Sequence, residues 1–268
     1  MNTEEAAFRR QVWRHYRAHG RHDLPWRKTR DPYRILVSEV MLQQTQVERV
    51  ISFYKNFIRR FPTAKKLAAA PLSDVLKAWQ GLGYNRRAKM LHTAARTIVE
   101  QGMPHDAPGF ETLPGVGPYT ARAVAAFAYD RDGIVIETNI RTAIIQHFFP
   151  EKENVRDADI AIVLAEVSPK GSAREWYSAL MDYGAHLKRS GVSHNARSAA
   201  HAKQSRFPGS LREARGAIVR ELAAKSVTRA HLVKMLGEER REQMVRALER
   251  MVAEGLVCRK GPRYALPS

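Results

Sequence analysis

Apolar residues recur along this chain at helical spacing far more often than they alternate. From Glu4 to His19, Phe8, Val12, Trp13 and Tyr16 share one face, with arginine and histidine elsewhere, which predicts an amphipathic helix. Asp23-Leu24-Pro25-Trp26-Arg27 interrupts it, and Asp31-Pro32 marks a new start running through Tyr33, Ile35, Leu36, Val40 and Met41. Thr45 is placed to cap the next helix, whose apolar positions are Val47, Val50, Phe53, Phe57 and Ile58, with a stop at Phe61-Pro62. Leu72 to Trp79 is a short helix; Gly81-Leu82-Gly83-Tyr84 then turns the chain into one built around Ala88, Leu91, Ala95 and Ile98. Leu113-Pro114-Gly115-Val116-Gly117 is a second glycine turn, Pro118 suits the first turn of the helix it opens, and Glu137 begins another helix. Asp157 to Val167 and Ala173 to Leu187 follow, separated by Ser168-Pro169-Lys170-Gly171. Leu211 to Ala224, Thr228 to Leu236 and Glu239 to Ala253 complete the helical patterns, and Leu256 to Leu266 reads as a hairpin. The expected class is all-α.

Charge changes this picture most. The 268 residues are enough for one large domain or two smaller ones, and they carry 45 Lys plus Arg against 27 Asp plus Glu. A net charge of +18 and a pI near 10.4 point to a polyanionic partner, nucleic acid first, with a generally basic soluble surface as the alternative. The single cysteine, Cys258, excludes an internal disulfide and any four-cysteine metal site. No signal-like N-terminal segment and no long uncharged apolar run is visible, so the expectation is a cytoplasmic, nucleoid-associated chain without a membrane partner. Tyr183 to Arg206 holds five basic and no acidic residues, and its latter part reads as a basic linker. His186, His194 and His201 lie there without ligand spacing, so they are expected to be solvated and no metal is expected. The last three helices and hairpin resemble a winged helix-turn-helix module, which places a helix in the major groove and a wing on the backbone; a packing or protein-contact module is the alternative.

Two places carry candidate chemistry. Bare backbone N–H groups after Leu113-Pro114-Gly115-Val116-Gly117, with the positive end of the helix dipole, can hold a phosphate without reading a base, although the same glycines also suit an ordinary turn between packed helices. Glu39 lies four residues after Ile35 and three before Leu42, at the edge of an apolar stripe, where desolvation can keep it protonated; a glutamate snorkelling to water is the alternative.

Five segments together resemble a known family. Leu24-Pro25-Trp26-Arg27, Ser38-Glu39-Val40-Met41-Leu42-Gln43-Gln44-Thr45-Gln46-Val47, Gly81-Leu82-Gly83-Tyr84, Leu113-Pro114-Gly115-Val116-Gly117-Pro118-Tyr119-Thr120-Ala121 and Met181-Asp182-Tyr183-Gly184-Ala185 occur in family order across residues 24–187. The chain is similar to the helix-hairpin-helix DNA glycosylases, nearest the MutY-type adenine glycosylases. Endonuclease III and the broader superfamily share the hairpin but lack a glutamate at the position of Glu39. The resemblance implies two helical lobes with the active site in the cleft between them. The expected division is a terminal lobe of residues 1–23 plus 135–205, a six-helix lobe of 24–134 carrying the hairpin, and a winged-helix-like domain of 206–268.

The implied partner is double-stranded DNA containing a mispaired or damaged base, bound by a monomer without a cofactor. Breaking a purine–deoxyribose bond calls for a proton on the leaving base and negative charge near the sugar. Glu39 is implied as the general acid. The family's second carboxylate is the Asp of a D-G-N run, which here reads Glu137-Thr138-Asn139, so the charge is kept on a side chain one methylene longer. Thr138 and Asn139 are expected to hydrogen-bond its ionised form. Tyr119 and Asn139 match positions near the reacting centre, and Tyr119 stands where strand-cleaving relatives have a nucleophilic lysine, which implies simple hydrolysis. Implied DNA contacts are Gln43, Gln44, Tyr84 and Arg86 around a flipped nucleotide, and Leu113, Gly115, Val116, Gly117 and Thr120 at the hairpin.

Two departures accompany these matches. The family's iron–sulfur loop follows C-x6-C-x2-C-x5-C, and the aligned residues are Lys188, Asn195, Ser198 and Gln204, so no cluster is expected. The family's domain for reading the opposite base is replaced by the shorter C-terminal module. Thymine or uracil opposite guanine, or a damaged purine, remains open as a substrate, as does a DNA-binding protein whose catalysis is impaired by the change at Glu137.

Overall fold

A computed structural model describes residues 2–200 and 206–268. Among these the helices, in chain order, are α1 (Thr3–His19), α2 (Pro32–Leu42), α3 (Val47–Arg60), α4 (Ala64–Ala68), α5 (Leu72–Trp79), α6 (Arg86–Gln101), α7 (Ala107–Glu111), α8 (Pro118–Tyr129), α9 (Thr138–Phe148), α10 (Asp157–Val167), α11 (Ala173–Arg189), α12 (Leu211–Ala224), α13 (Arg229–Lys234) and α14 (Arg241–Ala253). Three short strands, β1 (Val227–Thr228), β2 (Cys258–Lys260) and β3 (Arg263–Ala265), form an antiparallel sheet in the order β1-β3-β2. The expected all-α class is what the chain adopts. No helix among the described residues is long and apolar enough to cross a membrane.

Contacts group the chain into two compact units. The first comprises Met1–Ile35, Pro104–Thr112 and Val116–Lys203. Its core joins Phe8 and Val12 of α1, Ile140, Ile144 and Ile145 of α9, Leu164 of α10, and Trp176, Tyr177 and Leu180 of α11, all essentially without solvent exposure. Each such side chain contributes about 1.5–3 kcal/mol by leaving water. Asn2 and Glu5 form a reciprocal capping box that fixes the start of α1. Asp182 on α11 clamps the interrupted stretch before α2: it accepts from Arg21 Nε and Arg27 Nη1, each at 2.6 Å, from Arg27 Nη2 at 3.0 Å, and from the Arg21 amide at 2.8 Å. Burial works against ionisation of Asp182, but Arg27 and Arg21 hold its carboxyl below the usual carboxylate range.

The second unit comprises Leu36–Met103, Leu113–Gly115 and Gln204–Ser268. Val50 and Phe57 of α3, Val75, Leu76 and Trp79 of α5, and Leu91 and Ala95 of α6 form one part of its core. The C-terminal segment runs helix, strand, helix, helix, hairpin, with Ile218, Met244, Leu248 and Leu256 buried among its elements. It is bonded to the rest of the unit where the Ser73 amide donates to the Pro267 carbonyl at 2.9 Å.

Two local expectations differ from what forms, and two short helices form where none was expected. Thr45 does not cap α3; its hydroxyl donates to the Gln43 carbonyl, and the cap position is Gln46, whose side chain makes no capping bond. α2 has no polar stripe from Ile35 to Met41: every residue is buried, which makes this an internal helix. α4 and α7 contain five residues each, too few to show a period.

Candidate active site

Glu137 occupies the N-cap of α9 in an extended conformation. Its Oε1 accepts from the backbone amides of Asn139 and Ile140, each at 2.9 Å, and its Oε2 accepts from Asn139 Nδ2 at 3.1 Å. The added methylene is thus used to fold the carboxylate back over the bare amides and positive dipole end of its own helix. The second backbone donor is Ile140, where the sequence suggested Thr138. Asn139 Oδ1 in turn accepts from Lys188 Nζ at 3.0 Å, so α11 joins the arrangement. Gly184, one turn before Lys188, permits this approach: a Cβ there would overlap the Asn139 carbonyl oxygen and lie 2.5 Å from its carbon.

Electrostatics at Glu137 are opposed. Burial pushes its carboxyl above the ordinary range, while the two amides, Lys188 and Arg141 pull the other way. The ready stabilisation of the ionised form expected from sequence is therefore outweighed. The Arg141 amide donates to the Glu137 carbonyl at 2.8 Å, but its guanidinium is turned to Asp157 in a two-point pair, Nε to Oδ1 at 2.8 Å and Nη2 to Oδ2 at 2.7 Å. Tyr119, half-buried at the start of α8, bears electrostatically on Arg141.

The end of α2 is built separately. Glu39 is only 6% exposed, between Ser38 and Val40, which are also buried. It therefore does not reach water as a snorkelling residue would. Gln43 is half-buried and Gln44 exposed. Gln44 and Tyr84 hold φ of 54° and 49°, a region costly for residues with a side chain and characteristic of functional turns. Arg87 organises both. Its Nη1 donates to the carbonyls of Val40, Met41 and Gln43 at 2.8, 3.0 and 2.6 Å. Its Nη2 donates to Thr45 Oγ1 and the Gly83 carbonyl, both at 3.2 Å. The guanidinium also lies 5.5 Å from the Trp79 ring centre and 5.3 Å from that of Tyr84. Burial lowers its pKa to about 10. Sequence reasoning selected Arg86, which is exposed, and missed Arg87; the spacing of Arg87 four residues before buried Leu91 was the available signal.

At the hairpin, Gly115 has φ of 78°, and a Cβ would overlap the Met90 side chain, so this turn requires glycine. Gly117 caps α8 without a side chain and is exposed. Leu113, Val116 and Thr120 are 3%, 6% and 3% exposed, which leaves their backbone, not their side chains, to meet a ligand.

The four positions aligned with cluster cysteines do not fit an iron–sulfur centre. Lys188, Asn195 and Ser198 supply no thiolate, Gln204 and His201 lie outside the described residues, and Cys258 belongs to β2. Lys188 is bonded to Asn139, and Ser198 bridges to Val155. Among the described residues no group of three His, Cys, Asp or Glu could hold a metal ion. His186 is exposed and stacks on His15 at 4.6 Å, and His194 is bonded to Gln146, so the second is less solvated than its spacing suggested.

Residues 37–164 match the family model described as HhH-GPD superfamily base excision DNA repair protein. Over 265 residues the chain is 38% identical to the adenine DNA glycosylase of Mycolicibacterium smegmatis, covering 89% of each protein. The chain belongs to the HhH-GPD superfamily. An adenine DNA glycosylase of Mycobacterium tuberculosis is likewise 38% identical over 272 residues, 91% of this chain and 89% of that protein. Among solved structures, a thermostable thymine-DNA glycosylase superposes with a TM-score of 0.62 at 27% identity, covering 69% of this chain and 87% of its own. The two-lobed helix-hairpin-helix glycosylase fold expected from sequence is thus the fold of this HhH-GPD chain.

Proposed function

We propose that this protein is a hydrolytic DNA glycosylase that removes adenine from a mispair in double-stranded DNA, opposite guanine or 8-oxoguanine. The observation that carries this reading is a buried glutamate, Glu39, within Ser38–Val47 of a chain 38% identical over most of its length to proteins named adenine DNA glycosylase. A purine leaves most readily once its imidazole nitrogen is protonated, and a carboxyl removed from water is suited to carry that proton; positioned proton transfer contributes about 10²–10⁴-fold. Glu137 supplies negative charge where the sugar becomes cationic, with Asn139 orienting it and Tyr119 bearing on the neighbouring Arg141. Tyrosine offers no amine for a Schiff base, which supports base release without strand cleavage.

Binding follows from the same reading. The amides of Gly115 and Gly117 meet a phosphate, and Gln43, Gln44, Tyr84 and Arg86 meet the strand around the displaced nucleotide, offsetting an unstacking cost of a few kcal/mol. Arg259 and Lys260, exposed on the C-terminal hairpin, add phosphate contacts in the manner of a wing. The protein acts as a monomer among nucleoid-associated cytoplasmic proteins.

The resemblance to a thymine-DNA glycosylase structure favours one competing substrate, thymine opposite guanine. A panel of duplexes separates the two: adenine opposite guanine, 8-oxoguanine, cytosine and thymine, and thymine or uracil opposite guanine, each incubated with excess protein and then alkali. Cleavage confined to adenine opposite guanine or 8-oxoguanine is expected. Cleavage at thymine or uracil instead of adenine overturns the proposal.

A further inference from the structure

The chain Lys188–Asn139–Glu137 links a residue 49 positions away from Asn139 to the carboxylate assigned to the sugar. An ammonium group can only donate and a carboxylate only accept. Asn139 stands between the two, with Oδ1 toward Lys188 at 3.0 Å and Nδ2 toward Glu137 at 3.1 Å. With both faces committed, its amide has one workable orientation, and exchange of oxygen and nitrogen would set donor against donor and acceptor against acceptor. Gly184 brings the α11 backbone onto Asn139, and Lys188 follows one turn later on the same face of that helix.

We propose that Lys188 is a positioning residue, which locks the Asn139 amide and thereby orients the Glu137 carboxylate over the N-terminus of α9. This rests on the glycosylase reading for its effect on rate, but not for its effect on Glu137 itself. The position aligned with a cluster cysteine in relatives is thus used here to support the site directly.

The other charges around Glu137 leave this task to Lys188. Arg141 on α9 is engaged by Asp157 of α10, and Tyr119 of α8 bears on Arg141. Lys188 on α11 acts on Glu137 alongside Arg141 and is bonded to Asn139, and the coupling is mutual: burial pulls the Lys188 ammonium below its ordinary range while Glu137 pulls it back. A positive neighbour favours the ionised carboxylate, so its loss must raise the pH at which Glu137 ionises.

The test uses the full chain with Lys188→Met and Lys188→Arg. Glu137 is followed by carbon NMR of its labelled carboxyl, assigned by comparison with Glu137→Gln, while single-turnover adenine release is recorded across pH and thermal melting is measured. In Lys188→Met the titration of Glu137 moves to higher pH, and the acid limb of base release moves with it, so release at the acidic end falls about tenfold and recovers as pH rises. Lys188→Arg stays near wild type on both. An unmoved Glu137 titration in Lys188→Met overturns the proposal, as does a rate loss equal at every pH with a lowered melting point. If the wild type releases no adenine but the titration still moves, the glycosylase reading fails and the assignment of Lys188 stands.

Discussion

Asp182 and Glu137 are acidic groups of the same compact unit, and their surroundings drive them in opposite directions. Asp182, 2% exposed, meets two guanidinium groups at hydrogen-bonding distance, and its carboxyl is held below the usual range despite burial. Glu137 meets two amides and a carboxamide, with an ammonium one residue removed, and burial wins. Two guanidinium groups bring full positive charge into contact with Asp182, whereas the groups touching Glu137 are neutral dipoles, and that difference decides which way each carboxyl shifts against its desolvation. The comparison teaches that a carboxylate clamped by arginine is held ionised, whereas one held mainly by neutral donors is left with its proton affinity raised by burial.

The largest effect expected from this contrast is on stability. Asp182→Asn leaves the half-buried Arg21 and Arg27 without their counter-charge and should cost about 3 kcal/mol in urea unfolding. The pH dependence has a definite sign. Asp182 has a lowered folded pKa, so its stabilisation is present above the unfolded carboxyl range and is lost as pH falls through the folded value. Glu137 has a raised one, so ionising it costs stability, and that cost is relieved as pH falls through its folded value. Unfolding profiles should therefore be less acid-sensitive for Asp182→Asn than for the wild type, and a loss under about 1 kcal/mol would break the contrast between the two sites.

A smaller effect separates packing from chemistry. Gly184→Ala forces its methyl group into the Asn139 carbonyl and should cost about 1–3 kcal/mol. Because the displaced residue is Asn139, adenine release measured well below the melting temperature should fall as well. Full activity in a destabilised Gly184→Ala would show that the position of Asn139 is not critical.

Much of the fold was legible from spacing. Leu72–Trp79, Asp157–Val167 and Leu211–Ala224 were bounded to the residue, each having a regular apolar period and breakers at its ends. Five-residue helices gave no period to read, and the inside of α2 was mistaken for an edge because its polar residues, Ser38 and Glu39, are buried as well. At the site, Glu137 at the head of a helix and Asn139 as its donor were readable locally. Lys188 was not, since its relation to Asn139 is set by the packing of α11 on α9. Arg87 and Arg86 are neighbours of one residue type, and only helix phase distinguishes the buried organiser from the exposed side chain.

The central claim is that Glu137 serves the reaction and not the fold. Single-turnover adenine release by Glu137→Gln, on the best mispair and beside a melting curve, tests it most directly, with Glu39→Gln as the companion that removes the proton donor. Both variants should lose about 10²-fold or more in rate, and Glu137→Gln should melt at or above the wild-type temperature because a carboxyl whose ionisation is disfavoured there is gone. Wild-type rates in both would contradict the account, as would a Glu137→Gln protein whose lost activity is matched by lost stability.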